Sequence, residues 1–175
     1  MNSRGFTLLE MVMTVAVMGI LLAIGYARFR DYSDRAGIEK VARELRTNIS
    51  VARMSAMQNG QRRVLFMGPN SYTQYRNYSS LNESLTSATR VVVDSYSYPY
   101  TVKRKTGATL TNLNSATDCI DFDPRGFTVT ANCANSNMTL VVTPVTYGRG
   151  NNCVVVDTVR TTIGRMENVS TCRIR

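Results

Sequence analysis

One carboxylate stands where a carboxylate is costly. Glu10 lies inside the run Phe6 to Ile24, whose other members are apolar or small apart from the hydroxyls of Thr7 and Thr14. An acid in a bilayer core costs on the order of 2.5–3.5 kcal/mol on insertion scales, so its natural chemistry is pairing with a cation brought to it. A cut between Gly5 and Phe6 would supply one, because the new amino group would lie close to Glu10 or to the Glu10 of a neighbouring copy. No Ala-x-Ala pattern follows the run, which continues to Arg28 and Arg30, so it does not read as an ordinary secretory signal.

Two further groups carry chemistry. Four cysteines, Cys119, Cys133, Cys153 and Cys172, all lie in the last third of the chain. No pair has zinc spacing and the chain has no histidine, so disulfides in an oxidising compartment are the expectation. Three connectivities are open, and we expect Cys119–Cys133 with Cys153–Cys172, each closing a local loop. The second group is basic. The formal charge is +9, falling to +8 once Arg4 is removed, and Arg160, Arg165, Arg173 and Arg175 face one nearby acid, Glu167. Such a cluster can neutralise phosphates or meet acidic neighbours. Without histidine, general acid–base catalysis loses its usual agent, and the Asp121/Asp123 pair offers too few oxygens for calcium. The sequence therefore points to no enzyme, cofactor or metal.

These residues need elements to hold them. The apolar run is long enough, at about 1.5 Å per residue, to cross the roughly 30 Å hydrocarbon layer. Ile38, Val41, Ala42, Leu45, Ile49, Ala52 and Ala56 continue a helical period, so one helix from about Thr7 to Gln58 is expected, stopped by Asn59-Gly60. Beyond it the period turns to strands: 63–66, 90–93, 100–102, 120–122, 127–129, 138–142 and 154–156. Asp123-Pro124-Arg125-Gly126 is a turn signature, and the polar stretch 72–97 reads as a long loop containing a strand. The fold class is α+β: a long N-terminal helix, membrane-spanning then amphipathic, packed on an antiparallel β domain. Its divisions are a leader (1–5), the transmembrane half of the helix (6–25), its amphipathic half (26–58) and a globular β-rich domain (59–175).

A leader ending in Gly5, then Phe6-Thr7-Leu8-Leu9-Glu10 and an apolar stretch, resembles the signal of type IV pilins and type II secretion pseudopilins. The resemblance implies the pilin fold, cleavage after Gly5 by a prepilin peptidase, methylation of Phe6, and pairing of Glu10 with a neighbour's terminus during filament assembly. Further motifs are similar to the GspH/FimT family of minor pilins and pseudopilins. They are Val51-Ala52-Arg53 to Gly60, Ile120-Asp121-Phe122-Asp123-Pro124-Arg125-Gly126, and Val154-Val155-Val156 leading to Ile163-Gly164-Arg165. FimT-like members are associated with DNA uptake through a C-terminal Gly-Arg-x-Arg motif, whereas this chain reads Gly164-Arg165-Met166-Glu167. The resemblance implies a minor pilin of a type IV pilus, acting in initiation or at the tip and contacting double-stranded DNA. The alternative is a GspH-like pseudopilin of a type II secretion system. Implied partners are other pilins, reached through the helix, and the inner membrane before assembly. Counting Lys and Arg alone would leave the domain in the cytoplasm, since Arg28, Arg30 and Arg35 follow the run. The cysteines and the resemblance place it outside, and long domains translocate largely regardless of charge.

Overall fold

A computed structural model of the chain describes residues 7–76, 91–130, 133, 137–145 and 147–174. They form one helix, α1 (Leu8–Asn59), and ten strands. The strands are β1 (Arg63–Met67), β2 (Ser71–Arg76), β3 (Val91–Ser97), β4 (Thr101–Thr106) and β5 (Thr109–Asn112), then β6 (Cys119–Phe122), β7 (Met138–Thr143), β8 (Cys153–Val156), β9 (Thr161–Met166) and β10 (Cys172–Ile174). The chain divides into two units, Met1–Ala36 and Gly37–Arg175.

In the second unit the helix is held by one stripe. All seven residues from Ile38 to Ala56 in the expected period are at most 3% exposed, while Arg43, Thr47, Val51 and Met54 face outward. Transfer of such apolar area from water, at about 25 cal/mol per Å², is what fixes this half of α1. Gly37 opens the stripe for a packing reason. A Cβ there would stand 2.5 Å from the Tyr100 hydroxyl, so the glycine that weakens the isolated helix lets that ring close on it. At the other end Gly60 takes φ 60° and Gln61 N–H donates to the Ala56 carbonyl at 3.2 Å, a Schellman stop at the expected place.

The strands make two antiparallel sheets, ordered β3-β2-β1-β6 and β10-β9-β8-β7-β4-β5. Alternation sends Leu65, Met67 and Phe122 of the first sheet, and Val102, Leu140 and Val154 of the second, into one core with the helix stripe. Each outer face carries a smaller apolar cluster: Val64 and Phe66 with Cys119 and Cys133 on one, Val141 and Met166 with Cys153 on the other. Central β1 is thus buried along its whole length.

Two expectations need correcting. Residues 127–129 form no strand; Asp123 accepts the N–H groups of Arg125 and Phe127 and the Thr128 N–H donates to the Thr158 carbonyl, which leaves for a ladder only the bonds from Asp123 N–H to the Phe127 carbonyl and from Val129 N–H to the Asp121 carbonyl. A single bridge, Thr128 to Phe122, is all that pairs there. The stretch 72–97 holds two strands, β2 and β3, rather than one, with residues 77–90 between them outside the described set.

Candidate functional site

The described part of the first unit is a helix dressed for an apolar surrounding. Leu8, Leu9, Val12, Val15, Leu22 and Ile24 are each more than half exposed, and Glu10 is the one charge between Leu8 and Ala27. Thr7 caps the helix, its hydroxyl accepting the Glu10 N–H at 3.3 Å, which puts Glu10 in the first turn where the helix dipole favours an acid. The Thr14 hydroxyl donates back to the Met11 carbonyl at 2.9 Å. With both hydroxyls occupied, the Glu10 carboxylate is the polar group of this run without a partner among the described residues. Gly5 and Phe6, the expected processing pair, lie outside the described residues.

At the far end of the chain the structure joins Cys119 to Cys133 and Cys153 to Cys172. The second bond ties β8 to β10 across the strand between them. In β9, Gly164 lies opposite Cys153 on one side and Ile174 on the other, and a Cβ there would stand 2.6 Å from the Arg173 carbonyl oxygen and 3.0 Å from Cys172 Sγ. Only glycine lets the bridge pass over the strand.

That strand pairing also decides where the arginines stand. Arg165 of β9 and Arg173 of β10 are directly opposite, and like charges in such a pair repel. Glu167 relieves them, with Arg173 Nη1 at 3.0 Å and Arg165 Nη2 at 3.6 Å. The hydrogen bond from Arg173 and the charge of both guanidinium groups hold the Glu167 carboxyl below its ordinary range. Arg160 is not part of this group. It sits exposed in the β8–β9 hairpin, its carbonyl accepting the Asp157 N–H, five residues and so roughly 16 Å along the strand from Arg165. Arg175 lies outside the described residues.

The remaining polar candidates serve the fold. Asp121 is fully buried and accepts from Arg62 Nε at 2.9 Å; Asp118 pairs with Arg104. Burial would raise the Asp123 carboxyl, but bonds from Phe127 N–H, the Arg125 side chain and Arg125 N–H outweigh it and hold the group below the usual carboxylate range. Tyr72, Tyr96 and Tyr98 pack ring to ring at 5.2–6.2 Å, with Tyr72 donating to Asp94 and Tyr96 to Glu44. Burial pushes the Tyr72 and Tyr98 hydroxyls up, and neither ring is free to stack on a base. Sequence reasoning missed Arg53, which is 8% exposed, lies 4.9 Å over the Phe122 ring and donates to the Asp157 carbonyl at 2.8 Å. Its place four residues after Ile49, on the buried arc of the helix, was the available signal.

Residues 1–26 match the model of the prokaryotic N-terminal methylation motif, and residues 41–160 match that of type II transport protein GspH. A fimbrial protein of Pseudomonas aeruginosa is 35% identical over 72 residues, covering 41% of this chain and 46% of its own. The type IV narrow pilus major component PilA5 of Thermus thermophilus is 34% identical over 59 residues, 32% of this chain and 51% of its own. A fimbrial protein of Moraxella nonliquefaciens is 39% identical over 61 residues, 33% and 37% of the two chains. The chain thus spans about half the length, or less, of these curated relatives. No solved structure gives a significant match.

Proposed function

The chain belongs to the GspH family and carries the prokaryotic N-terminal methylation motif, and from that premise we propose that it is a minor pilin of a type IV pilus, acting at initiation or at the tip. The observation that carries this reading is the outward-facing apolar run from Leu8 to Ile24, in which Glu10 is the one charge and has no partner among the described residues. In the proposed sequence of events the run 6–25 holds the subunit in the inner membrane with its domain outside the cytoplasm. A prepilin peptidase cuts the leader (1–5) at Gly5/Phe6 and Phe6 is methylated. Glu10 then offers its carboxylate to the amino terminus of a neighbouring pilin as the helices gather. Mass spectrometry of the mature protein tests the first step: a chain starting at Phe6, heavier by one methyl group, is expected, and one that retains Met1 to Gly5 would overturn it.

DNA contact belongs to the same proposal, at the Arg165–Glu167–Arg173 group, where two guanidinium groups share one acid. Binding of labelled duplex by the full chain in detergent should weaken steeply with salt, with a log–log slope of about −0.9 per phosphate contacted. Replacing Glu167 by Gln should strengthen it and replacing Arg173 by Ala should weaken it. Identical titrations for all three proteins would remove this edge from the proposal.

The match of residues 41–160 to a type II transport protein favours a second reading, a GspH-like pseudopilin of a type II secretion system. A strain lacking the gene separates the two. Loss of surface pili with exoprotein release intact supports the pilus; the reverse supports the secretion system.

A further inference from the structure

Immediately after the apolar run, Tyr26, Phe29 and Tyr32 are about 70% exposed, and no contact among the described residues shields them. At about 100° per residue they fall within an arc of roughly 120° on α1. On the same wheel Arg28 and Arg30 bracket that arc, one on each side, while Asp31 and Asp34 lie across from it. Arg35 pairs with Asp31 on that far side, at 3.8 Å, whereas Arg28 and Arg30 have no ion-pair partner among the described residues. The segment is therefore two-faced: aromatic rings edged by free guanidinium groups on one side, acids on the other.

Depth fits the same division. From Ile24, at about 1.5 Å per residue, Tyr26, Phe29 and Tyr32 stand roughly 3, 8 and 12 Å beyond the apolar run. A headgroup layer is about 5–8 Å thick on each side, and a helix tilted by about 20° brings the side that leans toward the bilayer lower still. Tyrosine rings suit this layer, with an apolar body and a polar tip, and arginines beside them meet lipid phosphates.

We propose that the Tyr26–Phe29–Tyr32 face is an interfacial seat for the headgroup layer of a bilayer containing anionic phospholipid, on which α1 leaves the membrane tilted with this face down and Asp31 and Asp34 up in water. The seat fixes the direction in which the helix emerges before the subunit is drawn into a filament. It rests on the membrane-spanning reading of residues 6–25, so the test separates the two.

The chain has no tryptophan, so each introduced one reports alone. Val17→Trp, Phe29→Trp and Asp34→Trp are placed in turn in the full chain and reconstituted into phosphatidylethanolamine/phosphatidylglycerol vesicles. Val17→Trp should be quenched by lipids brominated near the chain end, Phe29→Trp by lipids brominated near the glycerol, and Asp34→Trp by aqueous iodide. Adding Arg28→Gln and Arg30→Gln to Phe29→Trp should raise its iodide quenching about twofold, as should phosphatidylcholine vesicles. If Val17→Trp is deep yet Phe29→Trp is as open to iodide as Asp34→Trp, the seat is overturned and the span stands. If Val17→Trp is itself open to iodide, both fall. Shielding of Phe29→Trp only in assembled filaments would assign the face to a neighbouring subunit instead, and would equally overturn the proposal.

Discussion

At the scale of single residues, three of this protein's acids stand in contrasting settings. Glu10 has no partner among the described residues of an apolar run, Glu167 neutralises a repelling arginine pair, and Asp123 closes a turn. Asp123 gives a pH prediction. Its carboxyl is held below its unfolded value of about 4, so its contribution to stability is complete above that pH and is lost as pH falls through the folded value. Asp123→Asn should cost about 1–2 kcal/mol at neutral pH. In denaturant titrations of the two proteins the gap should narrow as pH falls below about 4. Gly164 gives a second. Gly164→Ala forces a methyl against the Arg173 carbonyl and Cys172 Sγ, and should cost about 1–3 kcal/mol while lowering the yield of the Cys153–Cys172 bond in non-reducing peptide maps.

At the scale of elements, the amphipathic half of α1 is the piece on which both sheets depend. Leu45 is fully buried in the stripe, and Leu45→Ala should cost about 2–5 kcal/mol in a denaturant titration, depending on how far the core collapses into the space. Val51→Ala, at 51% exposure on the opposite face, should stay within about 0.5 kcal/mol of the parent. Equal losses at the two positions would mean that the outward face is packed too. Strand β10, three residues long at a sheet edge, has little ladder of its own and keeps its place through Cys172. Its register against β9 sets Arg173 opposite Arg165, so the basic edge exists only while that strand is docked.

At the scale of the whole molecule, an apolar helix that needs lipid or other helices is joined to a domain closed by two disulfides. Glu10→Ala separates the roles of the halves. Membrane insertion should be undiminished, because removing a charge makes the run more apolar, whereas entry into filaments should fall sharply, read as the ratio of sheared-filament to membrane protein. Normal entry would sink the pairing account. Reduction of the two disulfides should cost the folded domain roughly 3 kcal/mol for each closed loop in the chain-entropy model, measured as a shift in the denaturation midpoint.

Much of this architecture was legible in the order of residues because its signals are local. A 3.6-residue period from Ile38 to Ala56 marks the packed face of α1, Asn59-Gly60 its end, and a leader glycine, phenylalanine and glutamate before an apolar run the family. Short apolar, β-rich runs announced β1, β6, β7 and β8. Strands β2 and β9 were not legible: one reads Ser-Tyr-Thr-Gln-Tyr-Arg, the other begins Thr-Thr and carries a glycine, and neither shows the apolar alternation that isolates a strand. Their place comes from neighbours that satisfy their backbone groups. The arginines show the same limit most clearly. Composition counts four of them near the end of the chain, but which meet depends on strand register, a long-range property fixed by a disulfide crossing over Gly164. Tertiary structure alone set Arg165 against Arg173, gave both to Glu167, and left Arg160 at the far end of the strand.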